Sequence, residues 1–165
     1  MLKIRLAQEK AKGKDFDEIW RIFKKIIAAG DSYVNSSETN KSKARAKWMN
    51  KEAKTFIAEN DGKILGAYLL KSNQVGRGSH IANASYITDE AARKQGIGKA
   101  LALHSIAKAK ELGFHAIQFN FVVSTNIPAV KLWQSVGFKI IGTTPKAFNH
   151  KDLGYVDSYI MFREL

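Results

Sequence analysis

A basic turn with two closely spaced glycines, Arg93-Lys94-Gln95-Gly96-Ile97-Gly98-Lys99, stands where a β-like run gives way to a helical one. A turn of this kind leaves backbone N–H groups without partners at the start of the helix, and the helix dipole adds partial positive charge there. The chemistry open to it is the holding of an anion, above all a phosphate. One strand further on, Asn126 opens a second helix that closes at Gly137-Phe138. Other reactive residues are sparse. There is no cysteine, which removes disulfides, thiolate metal sites and a cysteine nucleophile. Of the histidines, His104, His115 and His150 read as helix, strand and loop residues, and no metal-ligand spacing is present, so no metal is expected.

A glycine turn before a helix is shared by several phosphate-binding designs, and its neighbours discriminate among them. A dinucleotide fold needs a third glycine and an acidic residue at the end of the next strand. Here Ala100 and Leu101 follow Gly98, and the next strand ends in Val122-Val123-Ser124. The G-K-[ST] of a Walker loop is also absent.

The elements that must position these residues can be read along the chain. Leu2 to Ala7 reads as a first strand. Asp15 and Glu18 have the spacing of a capping box, and Phe16, Ile19, Trp20, Phe23 and Ile27 recur at helical spacing to about Ala29. The polar segment Asp31 to Ser42 reads as a loop and Lys43 to Asn50 as a second helix. Strands over Thr55 to Glu59 and Ile64 to Lys71 flank Asn60-Asp61-Gly62, a strong hairpin signal. Ser72 to Ser79 is a connection and His80 to Thr88 a fourth strand. A long helix over Gly96 to Leu112 ends at Gly113. Then come a strand over His115 to Val123, a short helix over Asn126 to Val136, a strand over Phe138 to Thr143 and a last one over Tyr155 to Arg163. The order βααβββαβαββ predicts a mixed α/β sheet with helices on both faces.

The succession of strand, R-x-x-G-x-G, helix, strand, Asn, helix and Gly-Phe resembles the GCN5-related N-acetyltransferase (GNAT) family. The resemblance implies a mostly antiparallel mixed sheet, a single transferase domain over residues 1–165, and acetyl-CoA as cosubstrate. Arg93, Lys94, Gln95, Gly96, Ile97, Gly98 and Lys99 would then hold the pyrophosphate, the glycines letting the backbone approach it. Tyr86, Ile87 and Thr88 would pair with the pantetheine arm and supply an oxyanion N–H. Asn126 would bond the cofactor near its reactive end, with helix capping as its structural role. Many family members place a tyrosine acid where this sequence has Trp133. Ser124 or water is left to protonate the thiolate, and water is preferred to His80 or Tyr86 as the base. Asn83 and Asn120, with Phe119-Asn120-Phe121-Val122-Val123 and Trp133, are similar to the fungal azetidine-2-carboxylate N-acetyltransferases. That subgroup implies a cyclic imino acid or related amino acid analogue, with Asn83 and Asn120 as substrate contacts. The polar loop Asp31 to Ser42 is expected to face the substrate. Another acceptor, such as a peptide or other primary amine, and a CoA-binding domain without catalysis remain as alternatives.

Composition sets the outer limits. The 165 residues suit one domain, and 45% hydrophobic with 25% charged residues is ordinary for a globular chain. The amino terminus reads as a strand and not as a leader, and no apolar run approaches the roughly 18 residues of a membrane span, so a cytoplasmic protein is expected. The net charge of +12 is spread over Lys10 to Lys14, Lys41 to Lys54 and Arg93 to Lys110. It disfavours polyamine acceptors and suits a substrate carrying a carboxylate. Trp20 and Phe23 lie on an apolar helix face and not among the basic residues, so neither nucleic acid nor membrane is expected as a partner. A small-molecule amine is the expected partner, and an edge strand could pair two copies as a homodimer.

Overall fold

Alternation along the central strands decides which helix covers which face. The computed structural model describes residues 1–8 and 14–165, so the first basic cluster, Lys10 to Lys14, lies outside them except for Lys14. The elements are β1 (Lys3–Leu6), α1 (Lys14–Ala29), α2 (Lys41–Trp48), β2 (Lys54–Asn60), β3 (Lys63–Ser72), β4 (Ile81–Thr88), α3 (Ile97–Glu111), β5 (Ala116–Val123), α4 (Ile127–Ser135), β6 (Lys139–His150) and β7 (Gly154–Glu164). Phe56, Ala58, Tyr68 and Leu70 pack with α3 and α4, whereas Ile57, Ala67 and Leu69 pack with α1 and α2. A period of two in a strand buried on both sides therefore builds two cores. The element order matches the predicted βααβββαβαββ.

The seven strands lie in the order β1-β2-β3-β4-β5-β7-β6. All neighbours are antiparallel except β4 and β5, which are parallel and pair only at Ile81–Ala116 and Ala82–Ile117. Beyond those two pairs the strands part. Asn83 bridges the last closed point, its Nδ2 donating to the carbonyl of Gln118 at 2.9 Å. Trp133 of α4 then fills the wedge. Its ring lies 4.6 Å from Tyr86 on β4 and 4.8 Å from Phe119 on β5, centroid to centroid. A mostly antiparallel sheet thus carries one open fork at its centre.

Three sequence expectations need correction. Asp15 does not cap α1, which already includes Lys14. Its carboxylate instead takes hydrogen bonds from Arg5 at 2.8 and 3.1 Å and from the N–H of Gln8 at 2.8 Å. Burial would raise its pKa, but the Arg5 guanidinium and the Gln8 N–H outweigh that and hold it below the usual carboxylate value. The second helix begins two residues early because Asn40 caps it, accepting from the Lys43 N–H at 2.9 Å. The sixth strand, expected to end at Thr143, runs on through Thr144-Pro145-Lys146 to His150. Lys146 sits there at φ 51° in an irregular stretch of the ladder, its N–H held by Asp157 at 2.9 Å. A bulge on an edge strand accommodates both the proline and the left-handed residue.

Candidate active site

The fork opens into a cleft of about 530 Å³ lined by β4, β5, α4 and the segment between α1 and α2. Tyr86, Ile87, Thr88, Arg93, Asn126, Asn83 and Asn120 all line it. The turn from Lys94 to Lys99 continues from Arg93 into α3. These predicted residues therefore meet around one feature. Because β5 does not pair with β4 past Ala82, the outer half of β4 has no strand partner on that side, and the Tyr86 carbonyl there accepts instead from the Tyr33 hydroxyl.

At the Thr88 end the backbone is set for an anion. Lys94 and Gly96 both hold left-handed conformations, at φ 64° and 77°. For a lysine this is a strained choice, and strain of this kind gathers at binding sites. The first bond of α3 runs from the Ala100 N–H to the Gly96 carbonyl at 3.0 Å. The N–H groups of Ile97, Gly98 and Lys99 have no acceptor among the described residues, and Gly96 provides no side-chain cap. A Cβ added at Gly96 would meet no protein atom, whereas one at Gly98 would stand 3.3 Å from Leu132 Cδ2. The two glycines thus do different work: Gly96 turns the chain, and Gly98 lets α3 approach α4. Converging free N–H groups on a basic turn fit the diphosphate of a coenzyme.

Two buried contacts hold this end in place. Asp89 is only 4% exposed and accepts hydrogen bonds from Arg21 at 2.7 Å and from the Ala91 N–H at 3.1 Å. Gly66 on β3 lies so close under the strand that a Cβ would reach the Ile87 carbonyl at 2.7 Å. Ile97 and Leu101 of α3 fill the space above Gly66. Neither contact has a signature in the linear sequence.

Asn126 caps α4, its Oδ1 accepting from the Ala129 N–H at 3.4 Å, and it also lines the cleft. Its Nδ2 donates to no group among the described residues. The Tyr86 hydroxyl is buried on the α3 side, 2.6 Å from Ser105 Oγ, and burial pushes its pKa up. His80 packs edge to face on His115 and does not line the cleft. Asn120 is exposed and not buried. A bulge between Phe119 and Val122 turns both Asn120 and Phe121 outward, and Asn120 Nδ2 donates to Asn73 Oδ1 at 2.7 Å.

The polar loop Asp31 to Ser42, expected from the sequence to face the substrate, supplies part of the far wall, but that reading does not single out Tyr33 or Lys47. Tyr33, inside the segment read as a polar loop, donates from its hydroxyl to the Tyr86 carbonyl at 2.7 Å. Lys47 of α2 also lines the cleft, its Nζ 4.9 Å above the Tyr33 ring and 3.3 Å from Asn35 Oδ1.

The family model described as acetyltransferase (GNAT) family matches residues 16–138, a span that holds the turn, the fork and Trp133. The chain belongs to the GNAT family. It is 42% identical to a GCN5-related N-acetyltransferase of known structure from Kribbella flavida, with a TM-score of 0.94 over 99% of this chain and 98% of that one. It is 39% identical over 98 residues to the N-acetyltransferase aca1 of Schizosaccharomyces pombe, covering 59% of this chain and 47% of aca1. With the L-amino acid N-acetyltransferase AaaT of Escherichia coli it shares 31% identity over 111 residues, 67% of each chain. The chain thus spans about half the length of aca1. The family span takes in both the β4–β5 fork and the Arg93–Lys99 turn.

Proposed function

We propose that this GNAT protein is an acetyl-CoA-dependent N-acetyltransferase. Its acceptor is the amine of a small amino-acid-like molecule, and a cyclic imino acid of the azetidine-2-carboxylate type is the first candidate. The observation that carries the reading is the fork, whose open β4 edge leads directly to the free N–H groups of the Arg93–Lys99 turn. Acetyl-CoA supplies an activated thioester when bound. The residues of the chain do the rest: the turn holds the diphosphate, the backbone of Tyr86, Ile87 and Thr88 aligns the arm, and Asn126 stands beside its reactive end. Asn83 and Asn120 reach the acceptor from the two sides of the fork. Holding both reactants in line accounts for much of the rate in a transfer of this kind.

The proton leaving the amine passes to water. Asp89 and Glu90 line the cleft, but their partners are Arg21 and Arg93. The protein acts in this reading as one domain over residues 1–165, in the cytoplasm and without a metal. Among the described residues no helix is long and apolar enough to cross a membrane. A second reading, coenzyme binding without turnover, is favoured by Trp133, which fills the fork where an acid is expected. Thiol release from acetyl-CoA separates the two. Azetidine-2-carboxylate, proline, primary amino acids, polyamines and amino-terminal peptides would be offered as acceptors, and products identified by mass. Turnover on the imino acids supports the first reading. Activity on primary amines alone discards the imino acid, and coenzyme binding without any product favours the second reading.

A further inference from the structure

Lys47 lines the cleft but belongs to neither the turn nor the fork. It is half-buried, and its partners among the described residues are neutral: the rings of Tyr33 and Phe23, 4.9 and 5.6 Å from Nζ, and the Asn35 amide oxygen. Two other partly buried cations are paired with carboxylates. Arg5 holds Asp15 and Glu59, and Arg21 holds Glu18 and Asp89. A cation withdrawn from water without a counter-charge carries a desolvation cost that an incoming anion offsets.

The place of Lys47 says which anion. From Asn83 to Thr88, β4 rises about 16 Å at roughly 3.3 Å per residue. The cleft therefore has two ends. The basic turn serves the Thr88 end. Lys47 comes from α2 and touches Phe23, Tyr33 and Asn35, none of them on the basic turn that would hold the diphosphate. Tyr33 ties it to β4, because the ring beneath Nζ ends in the hydroxyl bonded to the Tyr86 carbonyl.

We propose that Lys47 is a specificity-determining residue that receives a carboxylate on the acceptor amine. The proposal rests on the acetyltransferase reading of the cleft. An ammonium has three N–H donors. Asn35 takes one, leaving two for carboxylate oxygens. The same charge repels an acceptor whose substituent is a second amine.

The test compares acid and amide. Wild-type protein, K47M and K47R are each saturated with CoA, and binding of N-acetyl-L-proline and N-acetyl-L-prolinamide is measured by calorimetry. In parallel, kcat/KM is measured for L-proline and L-prolinamide. K47M is expected to lower the acid-to-amide ratio at least tenfold in both measurements, as loss of a hydrogen bond to a charged group requires. The unequal basicities of the two amines cancel in that comparison between variants. K47R is expected to keep the ratio within about threefold of wild type. The KM for acetyl-CoA reports whether each variant is folded.

A ratio unchanged in K47M would overturn the proposal, as would wild-type protein that binds the acid no better than the amide. A purely structural lysine, or one acting as general base, would affect acid and amide alike. If wild-type protein acetylates neither acceptor, the imino-acid reading fails, but the binding arm still decides. A preference for the N-acetyl acid that disappears in K47M supports the anchor, and the lack of any such preference removes it.

Discussion

The two ends of the cleft are built in different ways. The Thr88 end is backbone: left-handed Lys94 and Gly96, the free N–H groups of Ile97 to Lys99, and the close approach allowed by Gly98. All of it comes from one run of seven residues. Away from the turn the cleft is side chain: Asn83 from β4, Asn120 from β5, Tyr33 from the segment after α1 and Lys47 from α2. A common ligand portion can be met by backbone, which any sequence with the right glycines supplies. A variable portion needs side chains, and these come from wherever the fold brings them. The difference predicts that changes at one end will leave the other nearly untouched.

The strongest challenge to that separation is Gly98→Leu. Even a Cβ at this position stands 3.3 Å from Leu132 Cδ2, so a leucine must push α3 away from α4 and distort the turn. Overpacking of this kind costs about 1–3 kcal/mol, equivalent to roughly a hundredfold at its upper end. The KM for acetyl-CoA should rise by about that factor, while the acid-to-amide ratio stays near that of wild type. An equal collapse of the ratio would show that the two ends are one structure.

A smaller effect sharpens the other half of the comparison. Burial, together with the charge of Lys71, lowers the Lys47 pKa to about 8. The cation is therefore intact at pH 7 and lost as pH rises through 8. Lys25 and Asp31 also line the cleft. Affinity for N-acetyl-L-proline, which has no titrating amine, should fall about tenfold between pH 7 and pH 9, the charged fraction falling from about nine-tenths to one-tenth. In K47R, whose guanidinium keeps its proton, the profile should be flat. A flat wild-type profile would place the anion elsewhere.

The same contrast explains what the sequence disclosed. The element order, the sheet class and the turn were all legible, because periodicity and glycine spacing are local properties. The fork was not, since nothing in β4 or β5 says where a parallel pair stops. Trp133 was read as an absent acid, yet its position between Tyr86 and Phe119 makes it the wedge of the fork. Asp15 had the spacing of a cap, but Arg5 from β1, ten residues away in the chain, claims its carboxylate. Tyr33 and Lys47 sit in a polar segment and a short basic helix with little apolar periodicity. Only the folding of α1 and α2 onto β3 and β4 gives them a role.

The smallest expected effect concerns the contact that joins the two ends. The Tyr33 hydroxyl bonds the carbonyl of Tyr86, halfway along β4, and its ring carries Lys47. Tyr33→Phe keeps the ring and removes only the hydrogen bond, so the cation–π contact survives while the loop loses its tether. The Tyr86 carbonyl can still find water, which limits the loss to about 1 kcal/mol, or roughly fivefold in affinity. Because Tyr33 packs against Lys47 of α2 and not against the basic turn, the weakening should appear in binding of N-acetyl-L-proline, with the KM for acetyl-CoA changing by less. A larger change for the coenzyme would mean that Tyr33 serves β4 first. The loop would then be a support for the pantetheine strand and only secondarily a wall of the acceptor site.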